Sequence, residues 1–350
     1  MREYFGDVAG NAALRRRLGQ DICADAFSHA YILEGPEGSG KSTLAMEIAM
    51  ALACRRRKDS SAPLPCKTCP ACRKIAAGNS PDVIHIRRRE DKVTMGVDVI
   101  RDLRADVITV PNDLSVKIYL IHDAHTMTVQ AQNALLLTLE EPPSFVLFFL
   151  LAEDAGAMLE TIRSRAPVLR MQPVSDEEMR QYLLSDRREA KVSRAVSALM
   201  SKSTDEFTAV LRMANGCVGN VISLLDEAKR APLMEQRAQV LEICRLLAFR
   251  GRPDELSSRL LALGKKREDV IDMLQLLQTA LRDLILLCYS ESVSLLFFTE
   301  QETPLELCNH FTAGRLAGIS AIIDDTLSAL AANGNVRLLL VQLQNRLSAQ

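Results

Sequence analysis

The chain has 350 residues, of which 48% are hydrophobic and 25% charged, and its formal net charge is −1. That length suffices for two or three domains, and the balanced charge gives no global field toward nucleic acid or membrane. Aromatic residues make up only 4% and Trp is absent, which argues against a base-stacking surface for single strands. The apolar runs are too short to span a bilayer and we recognise no N-terminal signal segment, so we expect a cytoplasmic protein.

A phosphate-binding loop occupies residues 35–42, directly after an apolar run at 30–33 that predicts a strand. The glycines of such a loop let the backbone curl, so that successive N–H groups point at phosphate oxygens. Lys41 reaches the outer phosphates and Ser42 offers a hydroxyl to Mg²⁺, while a helix from about Lys41 aims its positive end at the anion. The sequence therefore predicts a nucleotide-binding fold.

Four of the nine cysteines form a cluster with the spacing C-x11-C-x2-C-x2-C, namely Cys54, Cys66, Cys69 and Cys72. This spacing suits four thiolates around a tetrahedral Zn²⁺. The alternative is four small buried side chains, but a segment rich in Cys, Pro and Lys makes a poor core. We therefore predict a structural zinc module over residues 54–72. The other five cysteines stand alone and are expected to fill core positions: Cys23, Cys217, Cys244, Cys288 and Cys308.

Strands and helices alternate after this module. Helical spacing predicts a helix over Val97–Val107 with Val99, Leu103 and Val107 on one face. A second buried strand is predicted at Lys117–Ile121, and a third at 145–151 after a helix over 130–139. Such alternation behind a phosphate-binding loop predicts a parallel sheet with helices on both faces.

The strand signal vanishes from residue 172 onward. Ser175, with Glu178 three residues later, predicts a capped helix over 175–184. Further helices follow to a linker predicted at Ala231-Pro232, and residues 233–350 are predicted to be all-helical. Within them, the stretch 270–289 is apolar around most of its circumference, which fits burial in an assembly or in an ordinary helical core.

Several short segments carry a family resemblance: Asp-Val-Ala-Gly-Asn at 7–11, His-Ala-Tyr at 29–31, the four-cysteine insertion, Asn-Ala-Leu-Leu-Leu-Thr-Leu-Glu-Glu-Pro-Pro at 133–143 and Thr-Ile-Arg-Ser-Arg at 161–165. On these the chain resembles the bacterial clamp-loader subunits of DNA polymerase III, which are AAA+ ATPases. The resemblance implies an α/β AAA+ domain with the zinc module over 1–171, an all-α lid over 172–230, and an all-α collar over 233–350. It also implies a five-subunit ring with gamma/tau and delta subunits, which contacts the sliding clamp and primer-template DNA but no membrane.

The resemblance further implies the site residues. ATP or ADP with Mg²⁺ would contact a set made up of Val8, Gly35, Gly38, Gly40, Lys41, Ser42, Thr43 and Asp123. Arg165 would be an arginine finger that faces ATP bound by the adjacent subunit. The alternative for Arg165 is an ion pair within its own domain.

Two kinds of subunit share this architecture, the gamma/tau motor and the delta-prime stator. A motor has Asp-Glu after its second strand, to hold Mg²⁺ and activate water, whereas this chain has His122 and Asp123 there. Imidazole is a poor ligand for a hard cation, and Asp is one methylene shorter than Glu. Ala152 replaces the polar residue that a motor has at the end of the third strand, and Gly219 replaces the Arg that a motor has in the lid. These departures favour a delta-prime-like stator whose own ATP hydrolysis is absent or very weak.

Two other functions stay open at this point. An active gamma/tau-like ATPase would use Asp123 for Mg²⁺, after a one-residue shift of the strand. A zinc-containing DNA-binding adaptor is the second alternative, and the near-zero net charge and few aromatics count against it.

Overall fold

The computed structural model describes residues 2–185, 190–250, 253–262, 266–290, 293 and 295–349. The chain divides into two compact units. The first contains Met1–Ser193 and Ala214–Asn220, and the second contains Arg194–Met213 and Val221–Gln350. The domain boundaries at 171 and 230 stay predictions. Among the described helices, none is long and apolar enough to cross a membrane.

A parallel sheet with the strand order β2-β3-β4-β1-β5 lies at the centre of the first unit. Its strands are β1 (Ala30–Glu34), β2 (Val83–Ile86), β3 (Lys117–Ile121), β4 (Val146–Ala152) and β5 (Val168–Arg170). The prediction for β3 is confirmed at both ends, and β4 lies one residue beyond the predicted 145–151. Neither β2 nor β5 was predicted, because four and three residues are too few to establish a pattern.

Helices cover both faces of this sheet, as the sequence predicts. They are α1 (Ala12–Cys23), α2 (Lys41–Ala53), α3 (Pro70–Ala76), α4 (Val97–Val107), α5 (Val129–Glu140) and α6 (Glu160–Arg163), and a further helix, α7 (Asp176–Leu183), follows β5. Successive strand residues point to opposite faces. Ile118 and Leu120 of β3 therefore join the core beside α1 and α2, whereas Tyr119 and Ile121 join the core beside α4 and α5.

The helix boundaries follow from local sequence signals. The capping box at the start of α7 is confirmed, since the Ser175 side chain accepts from the Glu178 N–H and Glu178 bonds back to the cap. Helix α4 has the predicted bounds, but Ile100 is fully buried in place of the predicted Val99, which is only partly buried. The apolar stripe of α4 is therefore rotated slightly from the predicted one.

In its described residues, the second unit is entirely helical, which agrees with the prediction for 233–350. The remaining α-helices among the described residues are α8 (Ala190–Lys202), α9 (Thr204–Met213), α10 (Val218–Leu224), α11 (Glu227–Ala248), α12 (Pro253–Leu261), α13 (Arg267–Leu287), α14 (Glu302–Cys308), α15 (Ala313–Ala331) and α16 (Val336–Ser348). Buried side chains from α11 to α16 form one continuous apolar core. Helix α13 contributes residues at spacings of three and four, which is the stripe of an ordinary core helix.

The predicted linker at Ala231-Pro232 is wrong, because α11 continues through it. A proline inside a helix removes one backbone hydrogen bond and costs about 3 kcal/mol. The buried Arg230 offsets part of that cost: its Nε donates to Glu206 at 2.7 Å, and its Nη1 donates to the carbonyls of Leu224 and Leu225 at 2.9 and 3.0 Å. These bonds fix the first turns of α11 against its neighbours.

A buried carboxylate organises the segment after α13. Asp283 is fully buried, and its oxygens accept from Arg282 at 2.9 Å and from the N–H groups of Leu296 and Phe297 at 2.9 and 2.7 Å.

We expect Asp283→Ala to lower the free energy of unfolding by about 3 kcal/mol, because buried N–H groups lose a charged acceptor. Chemical denaturation measures this, with the exposed Asp272→Ala on the same helix as a control within about 0.5 kcal/mol of wild type. Equal stability of both variants would contradict the prediction.

Candidate functional site

The predicted phosphate loop lies between β1 and α2, at the carboxyl ends of the parallel strands. Gly38 and Gly40 have φ angles of +75° and +94°, in the left-handed region that glycine adopts without strain. The Nζ of Lys41 donates to the carbonyl oxygens of Gly35 at 2.6 Å and Pro36 at 2.8 Å. These carbonyls hold the ammonium group over the loop, where a lysine of this motif reaches phosphate oxygens.

Carboxylates lie close enough to Lys41 to act on its charge. Burial is the largest effect and lowers the pKa of Lys41, while Glu153 and Asp123 are among the groups that oppose it. Glu153 is exposed directly after Ala152, the last residue of β4. Sequence reasoning stopped at Ala152 and missed this carboxylate. Its position at the carboxyl end of a central strand is the signal that could have found it.

His122 follows β3, at the position where the resemblance implies an Mg²⁺-binding Asp. It is 8% exposed, and its Nε2 lies 2.9 Å from the Nδ1 of His85, so the two rings share a hydrogen bond. Burial, reinforced by Arg87 and His85, lowers the pKa of His122 to about 4, so its ring is neutral at pH 7. A neutral imidazole that is already hydrogen-bonded is not the oxygen ligand that Mg²⁺ demands. Sequence reasoning missed His85 because β2 was not predicted.

Asp123 begins the turn after β3. Its φ is +49° and its carbonyl accepts from the N–H of Thr126 at 2.8 Å and from the Thr126 hydroxyl at 2.7 Å. The side chain is exposed. The register of β3 against β4 ends with Ile121 opposite Leu150, so His122 is the residue directly after the strand and Asp123 lies one step beyond.

The segment 214–220, which is part of the first unit, packs on the phosphate loop. The N–H of Gly219 donates to the carbonyl of Gly38 at 2.9 Å. A Cβ at position 219 would lie 2.7 Å from the Cα of Gly38, so no side chain fits there without a backbone shift. Where the resemblance implies an Arg for the phosphates, this chain therefore has a backbone contact to the loop.

The other nucleotide-site candidates fall into two environments. Ser42 and Thr43 lie exposed in the first turn of α2, as the predicted roles require. Val8 is 2% exposed and belongs to the core cluster that includes Leu44 of α2. It is thus placed beside the helix that follows the loop.

Arg165 follows α6 and forms an ion pair inside its own unit, as the alternative interpretation predicts. Its Nη2 lies 2.7 Å from the Oε1 of Glu140, and its Nη1 donates to the carbonyl of Thr161 at 3.0 Å. The two charged side chains are 36% and 44% exposed. Exposed pairs of this kind contribute about 1 kcal/mol or less, so the guanidinium stays available to another acceptor.

The four clustered cysteines meet as the zinc prediction requires. The Sγ atoms of Cys54, Cys66, Cys69 and Cys72 all lie within 4.8 Å of one another, and the four residues are almost completely buried. Tetrahedral Zn–S bonds of about 2.3 Å place the sulfurs about 3.8 Å apart, so the cluster needs only a small contraction. Burial raises the pKa of Cys66, but hydrogen bonds led by that of Thr68 outweigh it and lower the pKa to about 6. The residues fit Zn²⁺.

The five isolated cysteines do not all fill the core. Cys217 and Cys244 are buried, as predicted, whereas Cys23 and Cys308 are only partly so. Cys288 is exposed at the end of α13, so the prediction is wrong for this residue. Helix α13 and its buried apolar stripe both end at Leu287, so Cys288 lies beyond the stripe.

The parallel sheet and the phosphate loop define the class: this is an α/β protein with a P-loop nucleotide-binding fold, and its chain continues into a helical unit. A family model described as "DNA polymerase III, delta subunit" matches residues 10–175. The chain is 29% identical over 282 residues to DNA polymerase III subunit tau of Bacillus subtilis, covering 80% of this chain and 46% of that protein. It is 30% identical over 229 residues to subunit tau of Escherichia coli, covering 65% of this chain and 33% of that protein.

These comparisons confirm the resemblance: the chain is similar in sequence to bacterial DNA polymerase III clamp-loader subunits. It spans less than half the length of the two tau subunits, 46% and 33%. A solved DNA polymerase III gamma subunit-related protein of Thermotoga maritima aligns with 95% of this chain and 98% of its own length, at 18% identity and a TM-score of 0.45.

Proposed function

We propose that this protein is a delta-prime-like subunit of the DNA polymerase III clamp loader. It would be a stator in a cytoplasmic ring with gamma/tau and delta subunits, and would help them load the sliding clamp onto primer-template DNA. One observation carries the proposal: His122 stands where a motor needs an Mg²⁺-binding carboxylate, and its ring is hydrogen-bonded to His85 at 2.9 Å.

The phosphate loop would bind ATP or ADP without hydrolysing it. The backbone N–H groups of residues 35–40 and the ammonium group of Lys41 would hold the phosphates, and neither depends on His122. Zn²⁺ on the four clustered cysteines would have a structural role and would stabilise residues 54–72. A closed four-thiolate site leaves no position for a substrate, so the ion would not be catalytic. Arg165 would act in trans, on the ATP of a neighbouring motor subunit.

An active gamma/tau-like ATPase is the second candidate. It is supported by the names of the relatives, which are gamma and tau subunits, and by a complete phosphate loop with Asp123 near Lys41. The two candidates differ in one measurable property, ATP turnover by the pure chain.

We expect the isolated chain to bind ADP and to show no ATP turnover above background. Its affinity for ADP should depend little on Mg²⁺, because His122 does not hold the ion. Lys41→Ala should abolish ADP binding. His122→Asp supplies a carboxylate, and we expect Mg²⁺ to strengthen its ADP binding about tenfold. Calorimetric titration with Mg²⁺ or EDTA, together with a phosphate-release assay, measures these quantities. Steady turnover that Lys41→Ala removes would overturn the stator in favour of the motor.

A further inference from the structure

Lys67 lies between two of the clustered cysteines, Cys66 and Cys69, yet its side chain contacts residues outside the cluster. Its Nζ lies 2.5 Å from the Oδ1 of Asp7 and 3.1 Å from the Oε1 of Glu47. The φ of Lys67 is +55°, a left-handed conformation that few residues other than glycine adopt. The turn that brings the cysteines together therefore also directs this ammonium group.

The contact between Lys67 and Glu47 links the cysteine module to the phosphate loop, because Glu47 lies on α2, the helix that starts at Lys41 of that loop. Its side chain is 1% exposed, and burial raises its pKa while Lys67 is the main opposing charge. A buried carboxylate is costly unless it is paired. The backbone N–H of Asp7 also points at it, with 3.4 Å to Oε2. Glu47 thus joins the phosphate-loop helix to the segment before Val8.

The same segment is hydrogen-bonded to the cysteine module. The N–H of Phe5 donates to the carbonyl of Leu64 at 2.7 Å, and the N–H of Leu64 donates to the carbonyl of Glu3 at 2.9 Å. Leu64 precedes Cys66 by two residues. Residues 3–8 are therefore held on one side by backbone pairing with the module, and on the other by the cluster of Lys67, Asp7 and Glu47.

We propose that Lys67 is a positioning residue for the nucleotide site. The cysteine module fixes its ammonium group, which neutralises Glu47 on the phosphate-loop helix and holds Asp7, and with it Val8, against that helix. The proposal rests on the nucleotide binding proposed above. It makes ADP affinity depend on an intact cysteine module, although none of the module's residues belongs to the phosphate loop.

The test compares Lys67→Met with Lys74→Met. Lys74 lies on α3, two residues after the last cysteine of the module, and pairs with the exposed Asp113, so it provides the same substitution away from Glu47. Both variants should retain one zinc per chain by elemental analysis, because neither residue is a ligand. Titration with fluorescent ADP should give about tenfold weaker binding for Lys67→Met and less than about twofold weaker binding for Lys74→Met. Lys67→Arg, which keeps the charge, should restore most of the affinity.

A double-mutant cycle separates positioning from general destabilisation. Glu47→Gln should weaken ADP binding by itself, and Lys67→Met should then cost much less than in the wild type, because the two residues act through one contact. Unchanged affinity of Lys67→Met, beside a wild type that binds ADP, overturns the inference and leaves nucleotide binding intact. A wild type that binds no ADP overturns the proposed nucleotide binding itself. If Lys67→Met loses zinc, the ADP affinity of Glu47→Gln tests the inference instead. Unchanged ADP affinity of that variant also overturns the inference.

Discussion

Replacement of Cys69 and Cys72 by serine is expected to abolish zinc binding and to unfold the module of residues 54–72. The four sulfurs lie within 4.8 Å of one another, so a Zn²⁺ bound by all four would cross-link both ends of the segment. Structural zinc sites contribute about 10–16 kcal/mol in small zinc-finger peptides. A loss of even about 3 kcal/mol here would lower the Tm by about 10 °C.

Elemental analysis and thermal unfolding, with and without chelator, measure this effect. Cys288→Ser is the matched control, because Cys288 is exposed and lies outside the cluster. It should retain one zinc per chain and the Tm of the wild type. Chelator-free protein that contains no zinc, or four cluster thiols that react freely with a thiol reagent, would show that the cysteines do not hold a metal.

The central sheet is predictable where its strands are long or continuously apolar. Strand β3 is a run of five buried residues, and β1 precedes an unmistakable phosphate loop. The short β2 and β5 escape prediction because they are positioned by pairing with β3 and β1, not by their own sequence pattern. The missing β2 also conceals His85, and with it the partner that fixes His122.

Long-range polar contacts are the other class that the sequence conceals. The spacing of the cysteines predicts their cluster, but nothing local shows that Lys67, in a turn, reaches Glu47, which lies twenty residues earlier on α2. Long-range polar contacts also explain why α11 continues through Pro232. Pro and Ala at that point predict a break locally, whereas the tertiary contacts of Arg230 favour a continuous helix.

Arg165→Ala in a reconstituted complex is expected to lower the DNA- and clamp-stimulated ATPase, although the altered subunit, as the proposed stator, would itself hydrolyse no ATP. An arginine supplied in trans stabilises charge on the transferred phosphoryl group, and its loss costs a site about 10³-fold or more. Only one of several sites would lose its arginine finger, so the total ATPase should fall partially. Clamp loading should fall further, because it needs the sites to act together.

Two controls separate a finger from the ion pair that Arg165 forms with Glu140 at 2.7 Å. Glu140→Gln removes the pair but keeps the guanidinium, and should leave both ATPase and loading near wild type. Arg163→Ala removes an exposed arginine two residues away, on α6, and should do the same. Both, like Arg165→Ala, should fold and join the complex, since exposed ion pairs contribute little to stability. An Arg165→Ala complex with unchanged ATPase and loading rates would show that this arginine does not act on a neighbour's nucleotide.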